Sequence, residues 1–179
     1  MSIHHEARGI ILKKLRSKND DKTVVLFSLE FGKLFLVAKG AQKITSRRLA
    51  SLDSLNVVNI QFVEHHGFYY IREVDVVSRL QTIKDDYTKR RLLLLFAEVL
   101  DKLLPLNQRE EQIFRLCMTF LRKLDKGMAH TKTIVHDIYQ LLLLFGYSHA
   151  KEQETVSQLQ LQRLLEQVTE REIKSWRLS

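Results

Sequence analysis

The sequence predicts an α+β chain with segregated parts, in which a small five-stranded β-barrel precedes an all-α helical bundle. Up to about residue 80, short β-branched and aromatic runs alternate with turn residues, and apolar side chains recur at every second position. Beyond residue 80 the apolar positions take helical spacing. No glycine- or proline-rich linker separates the halves, so we expect two domains, 1–80 and 81–179, packed together.

The strands of the first half are predicted from alternation and from turn residues. Val58, Ile60 and Phe62 fall on one face of a strand, whereas Asn59 and Gln61 fall on the other. The predicted strands cover residues 7–15, 23–29, 33–39, 55–64 and 68–77. Hairpin turns are predicted at Phe31-Gly32 and at His65-His66-Gly67.

The longest gap between predicted strands lies between the third and the fourth. Its second half, 46–52, can form a short helix with Thr45 or Ser46 as its N-cap. A five-stranded barrel with a helix at this place has the layout of an OB-fold.

The second half predicts four helices and a last short turn. Pro105, the single proline of the chain, ends the first helix. Asn107 with Glu110 resembles a capping box for the second, which ends near Gly127. The predicted helices cover residues 87–104, 107–127, 131–145 and 155–168, and Thr169 with Glu172 predicts a final turn.

Composition limits the class of protein. The chain of 179 residues is 45% hydrophobic, which suffices for a core, and its formal net charge of +8 favours an anionic partner. Its one cysteine, Cys117, excludes an internal disulfide and a cysteine-based zinc site, and it falls among apolar residues that suggest a core position. The sequence shows no secretory signal and no apolar run of the roughly 20 residues that cross a membrane. We expect a soluble, cytoplasmic protein.

Catalytic patterns are missing from the sequence. It contains no GxSxG, no phosphate-binding P-loop, no GxGxxG and no HExxH motif. The seven histidines are scattered, and carboxylate pairs such as Asp85-Asp86 fit turns and helix starts. We therefore expect a non-catalytic protein without a cofactor or a metal.

The stretch around the end of the third predicted strand is cationic and carries no acid. No Asp or Glu lies between Glu30 and Asp53. The cations in this stretch are Lys33, Lys39, Lys43, Arg47 and Arg48. A surface of one sign suits phosphates, because each neutralised phosphate releases counterions. The pattern predicts binding to nucleic acid at this strand end and the following loop.

Further residues could extend this surface. Lys13 and Lys14 end the first strand and could join it in a small barrel. Tyr70 and Arg72 are either stacking partners for unpaired bases or structural residues, and both alternatives stay open. For Phe35 we favour a place in the barrel core.

The same residues resemble a known family. Val37–Ala41, Lys43 and Ser46-Arg47 resemble the "AKGARR…SR" signature of the recombination mediator RecO family, with Gln42 where a basic residue is common. The resemblance is strong over residues 8–62 and looser over "LLLLFAEVLDKLLP", Phe145-Gly146-Tyr147 and "IKSWRL".

The resemblance implies a non-catalytic, nucleoid-associated bacterial protein that binds single- and double-stranded DNA and anneals complementary strands. It implies RecR and single-strand-binding protein as partners, and RecA indirectly, because family members help RecA replace single-strand-binding protein. It assigns DNA contacts to Lys39, Lys43, Arg47, Arg48 and Lys33.

Two departures from the family pattern stand out. No cysteine follows Gly146-Tyr147, so the chain reads as a short form that lacks the family's zinc segment. Val135–Ile138 stands where relatives often carry a basic-basic-aromatic-acidic run, so we expect a changed pocket for the tail of single-strand-binding protein. Two rival functions stay open, an OB-fold RNA-binding factor and an adaptor for an acidic peptide tail.

Overall fold

The computed structural model describes residues 3–16, 21–40, 48–127, 130–147 and 157–169. The chain divides into two compact units. The first unit contains Met1–Arg79 and Leu104–Glu111, and the second contains Leu80–Leu103 and Gln112–Ser179.

The first unit is a closed five-stranded barrel. Its strands are β1 (Ile3–Arg16), β2 (Lys22–Ser28), β3 (Gly32–Ala38), β4 (Val57–His65) and β5 (Phe68–Ser78), with the short helix α1 (Arg48–Ser51) between β3 and β4. The order around the barrel is β1-β2-β3-β5-β4. The β3–β5 pair is parallel, and the other pairs are antiparallel. The predicted OB-fold barrel followed by helices is confirmed.

The inner face of the barrel follows the predicted alternation. Val58, Ile60 and Phe62 are buried in its core, whereas Asn59 and Gln61 are exposed. Strand β1 pairs with β4 along one stretch and with β2 along another, and the two stretches overlap at residues 9 and 10.

Gly32 lies where another part of the chain meets the barrel. The turn before β3 gives Gly32 a positive φ of 69°, and a Cβ added there would lie 1.8 Å from the Gln108 carbonyl oxygen. Asn107 donates its backbone N–H to the Lys33 carbonyl oxygen at 3.0 Å. The segment Leu104–Glu111 is thereby attached to β3 by backbone contacts.

The capping box predicted at Asn107 and Glu110 is wrong. Helix α4 begins only at Glu111, and Asn107 has a φ of +55°. Asparagine adopts this left-handed conformation more readily than most residues, so a sequence that looks like a cap serves here as a turn.

The second unit contains five helices among the residues described. They are α2 (Gln81–Asp85), α3 (Tyr87–Leu103), α4 (Glu111–Asp125), α5 (Thr131–Leu144) and α6 (Gln158–Thr169). Their apolar faces form a core in which the ring centroids of Phe96 and Phe120 lie 4.4 Å apart. Cys117 is fully buried, and this burial raises the pKa of its thiol. The predicted core position of Cys117 is confirmed.

The helix starts show which predicted caps hold. Asp86 accepts the backbone N–H of Lys89 at the start of α3, as its sequence context suggests. Helix α6 begins at Gln158 rather than at 155, because Ser157 and Gln160 form a reciprocal capping box there. The sequence reasoning missed α2, which is a single short turn. The N-cap predicted at Thr45 or Ser46 and the final turn beyond Thr169 lie outside the described residues.

Within the described ranges, no helix combines the length and the apolar character that crossing a membrane requires.

Candidate nucleic-acid interface

We call residues 40–52, which lie between β3 and β4 and include α1, the cationic loop. Its first residue is hydrogen-bonded to the residue that precedes β2. Gly40 has a φ of +63°, and its backbone N–H donates to the Asp21 carboxylate at 2.8 Å. The Gly40 N–H is thus hydrogen-bonded to the carboxylate of Asp21, which directly precedes β2.

The last part of the cationic loop is also attached to the barrel by hydrogen bonds. Buried Asn56 donates from Nδ2 to the carbonyl oxygens of Ala50 and Ser51, each at 3.0 Å, at the end of α1. Leu52 follows and is fully buried in the barrel core. Both ends of the cationic loop are thus attached to the barrel.

Three predicted contacts belong to this loop. Lys43 and Arg47 lie outside the described residues, and Arg48 is the first residue of α1, without a described side chain. Their role in DNA binding stays a prediction.

Strands β3 and β5 bring a second set of side chains together on the outside of the barrel. Leu36 and Tyr69 pack in or against the core, so their neighbours Val37 and Tyr70, which pair across the two strands, point outward. Two residues before that pair, Phe35 is 41% exposed and Phe68 is 60% exposed. The preference for a core position for Phe35 is therefore wrong, because it lies on the odd, outward face of β3.

A lysine joins this outer surface. The Lys39 Nζ atom lies 4.5 Å from the centroid of the Tyr70 ring, which is cation–π geometry. Lys39 itself is exposed, and so is Arg72, two residues beyond Tyr70 on β5. We call the six outward residues of the parallel pair the β3–β5 face. They are Phe35, Val37 and Lys39 on one strand and its extension, and Phe68, Tyr70 and Arg72 on the other.

The remaining predicted cations lie elsewhere. Lys33 is the second residue of β3, about 20 Å along the chain direction from Lys39, and is only 8% exposed. Lys14 forms an ion pair with Asp53, just beyond α1. Lys13 is half-buried on β1, opposite Val25, which in turn pairs with Phe35. The structure places Lys39 over the Tyr70 ring, leaves Arg72 exposed two residues farther along β5, and separates Lys33 from these residues.

Phe68 is the residue that sequence reasoning missed. The signal was present, because Phe35-x-Val37-x-Lys39 and Phe68-x-Tyr70-x-Arg72 both read apolar, apolar, cationic at period two. Only the parallel pairing of β3 with β5 shows that the two patterns lie side by side.

A metal site is not formed by the part of the chain that the structure describes. No group of three or more His, Cys, Asp and Glu side chains there has the arrangement to hold an ion. His5 is instead surrounded by the rings of Phe31, Phe62 and Tyr69, with centroid distances of 5.3, 5.2 and 6.2 Å.

Comparison with known proteins supports the interpretation of the barrel. The family model described as "Recombination protein O N terminal" matches residues 1–80, which include all five strands. Residues 1–80 belong to the RecO N-terminal family. Proteins named DNA repair protein RecO resemble it over most of its length.

Three of these RecO proteins illustrate the likeness. The protein of Thermoanaerobacter sp. (strain X514) is 29% identical over 143 residues, 79% of this chain and 58% of the relative. The Geobacter metallireducens protein is 30% identical over 119 residues, 66% and 49% of the two chains. The Listeria welshimeri protein is 26% identical over 139 residues, 78% and 54%. The chain thus spans about half the length of these RecO relatives.

Proposed function

We propose that this chain binds DNA through the cationic loop after β3 together with the β3–β5 face. It would act in DNA repair as a non-catalytic mediator that anneals strands. The observation that carries the proposal is the Lys39–Tyr70 pair, which places a cation over an aromatic ring where the cationic loop leaves the barrel. In a nucleic acid, the phosphates would contact the lysine cation and the bases would contact the aromatic ring.

Annealing follows from electrostatics in this proposal. Two DNA strands repel each other, and a surface that neutralises phosphates on both reduces that repulsion and releases counterions. No bond is made or broken in the protein, so no catalytic residue is required. The family resemblance supplies the proposed partners RecR and single-strand-binding protein, and RecA indirectly.

The predicted DNA-contacting residues differ in their positions relative to the proposed surface. Lys39, Tyr70 and Arg72 are on the β3–β5 face, whereas Lys43 and Arg47 lie outside the described residues and Arg48 has no described side chain. Lys13 lies one strand beyond Phe35 across Val25. The burial of Lys33 and the ion pair of Lys14 leave these two outside the surface that we propose.

A salt titration tests the proposal. A fluorescent single-stranded oligonucleotide is titrated at several salt concentrations with the wild type and with a Lys39→Ala, Lys43→Ala, Arg47→Ala variant. Each phosphate contact on a single strand contributes about 0.7 to the slope of log affinity against log salt, so the triple variant should lower the slope by about 2. Addition of the complementary strand then measures annealing, which the variant should slow.

The matched control removes three exposed cations from the second unit, Lys126, Lys132 and Arg163, and so lowers the net charge equally. This control should keep the affinity and the slope of the wild type. Equal losses in both variants would show that net charge alone drives binding and would reject the interface. Tighter binding to RNA than to DNA without annealing, or binding to an acidic peptide but not to DNA, would overturn the proposed function.

A further inference from the structure

The β3–β5 face has an aromatic end and a cationic end. Phe68 begins β5 and Phe35 lies at the middle of β3, whereas Lys39 and Arg72 are the last residues of the face. Between them, Val37 pairs with Tyr70. Because residues two apart on a strand are separated by about 6.6 Å, the face extends over about 13 Å from its aromatic to its cationic end.

Exposed phenylalanines need an explanation on such a surface. Phe35 and Phe68 are the two most exposed phenylalanines of the described chain, and they lie two positions before Val37 and Tyr70, which pair across the strands. The Lys39 cation lies over the Tyr70 ring, so a charged group and an aromatic group adjoin on this face. A planar, apolar ligand attached to an anionic chain matches both ends of the face.

Single-stranded DNA has this chemistry. Its unpaired bases expose aromatic faces that stack on aromatic side chains, while its phosphates require cations. In a duplex the faces of the bases are covered by neighbouring base pairs, so a duplex offers this surface only phosphates.

We propose, as an extension of the DNA-binding function above, that the β3–β5 face stacks unpaired bases on Phe35, Phe68 and Tyr70 and thereby selects single-stranded DNA. Lys39 and Arg72 hold the adjoining phosphates. Stacking engages the faces of the bases and leaves their hydrogen-bonding edges free. A strand held in this way can still pair with its complement, which is what annealing needs.

The experiment uses three probes of equal length: a single-stranded oligonucleotide, its duplex, and an abasic strand that has the phosphates without the bases. The wild type should bind the base-containing single strand about tenfold or more tightly than the abasic strand, given the usual effect of one stacked base. A Phe35→Ala, Phe68→Ala variant should lose this difference. Its affinity for the duplex and the abasic strand, and its salt slope, should stay unchanged.

Two further variants guard against loss of folding. Phe35→Tyr with Phe68→Trp keeps aromatic surfaces and should restore the preference. Leu144→Ala with Leu159→Ala removes exposed apolar side chains from the second unit and should have no effect on it.

The outcomes separate this proposal from the broader one. Equal affinity of the wild type for base-containing and abasic strands would overturn base stacking and leave DNA binding intact. A folded phenylalanine variant that keeps the full preference would do the same. Absence of binding to all three probes at low salt would reject DNA binding itself.

Discussion

Lys39 and Tyr70 form a cation–π pair across the parallel strands, with the Lys39 Nζ atom 4.5 Å from the centroid of the Tyr70 ring. The pair joins the charge of the loop to the aromatic side chains of the barrel. At exposed positions such pairs contribute about 0.5–1 kcal/mol. The Tyr70 ring carries no net charge, so this contact attracts the lysine without cancelling its charge.

The first prediction concerns this lysine. Lys39→Gln should lower the salt slope of single-stranded DNA binding by about 0.7, because one phosphate contact is lost, whereas Lys39→Arg should preserve it. A double-mutant cycle with Tyr70→Leu, measured by urea unfolding, should give a coupling of about 0.5–1 kcal/mol. An additive cycle would show that the pair has no energetic coupling.

The second prediction concerns Lys14, which was predicted as a DNA contact but forms an ion pair with Asp53. Side chains that are 30% and 51% exposed are well screened by solvent, so a double-mutant cycle should give only about 0.2–1 kcal/mol. Asp53→Asn should leave the affinity for DNA unchanged, because Lys14 lies outside the proposed surface. Tighter binding by Asp53→Asn would instead return Lys14 to the set of DNA contacts.

The third prediction compares two glycines of similar conformation. Gly32 and Gly40 have φ values of +69° and +63°, but only Gly32 has atoms of another segment within 4 Å of an added Cβ. Gly40→Ala should cost about 1–2 kcal/mol of unfolding free energy from backbone strain. Gly32→Ala should cost about 2–5 kcal/mol, because overpacking against the Gln108 carbonyl adds to that strain.

Chemical denaturation of both glycine variants measures the difference, and circular dichroism confirms that each is folded. Equal costs would mean that Leu104–Glu111 moves away from the barrel without loss. That result would contradict a stabilising attachment of this segment to β3.

The fourth prediction is a pH dependence. The backbone N–H of Lys89 donates to the Asp86 carboxylate and, with smaller contributions from the Lys89 charge and the Thr88 N–H, holds the pKa of Asp86 below its usual value. A lowered pKa in the folded state means that the ionised cap adds stability above the ordinary aspartate pKa of about 3.9. This contribution is lost as the pH falls through the folded pKa.

Thermal unfolding between pH 2 and pH 6 tests the role of Asp86. Asp86→Asn should retain a cap and show a smaller loss of melting temperature on acidification than the wild type. Asp86→Ala should be less stable than the wild type at pH 6. Identical pH profiles of the wild type and Asp86→Asn would contradict the assignment.

Much of the fold was predictable because its signals are local. The alternation around Val58, Ile60 and Phe62 reports one buried face, and that face is the barrel core. Where a local signal admits two conformations, prediction failed. Asn107 looked like a helix cap but adopts a left-handed turn, because its conformation depends on the approach of its segment to β3.

The candidate site was predictable in its charge and only partly in its geometry. Lys39, Tyr70 and Arg72 were named from the sequence and share one face. Lys33 was named with them because it is close to Lys39 in sequence. Successive residues of a strand are about 3.3 Å apart, however, so Lys33 lies at the other end of β3. Phe68 was missed because its neighbours on the surface come from a strand more than thirty residues earlier.

By itself, the sequence determined the order of strands and helices, the excess of positive charge and the resemblance to the RecO family, because composition, periodicity and motifs are written along the chain. The tertiary structure alone decided which side chains form a surface. The parallel pairing of β3 with β5 sets Phe35 and Phe68 near Tyr70 and aligns Lys39 with its ring, since closure of the barrel joins strands that are distant in sequence.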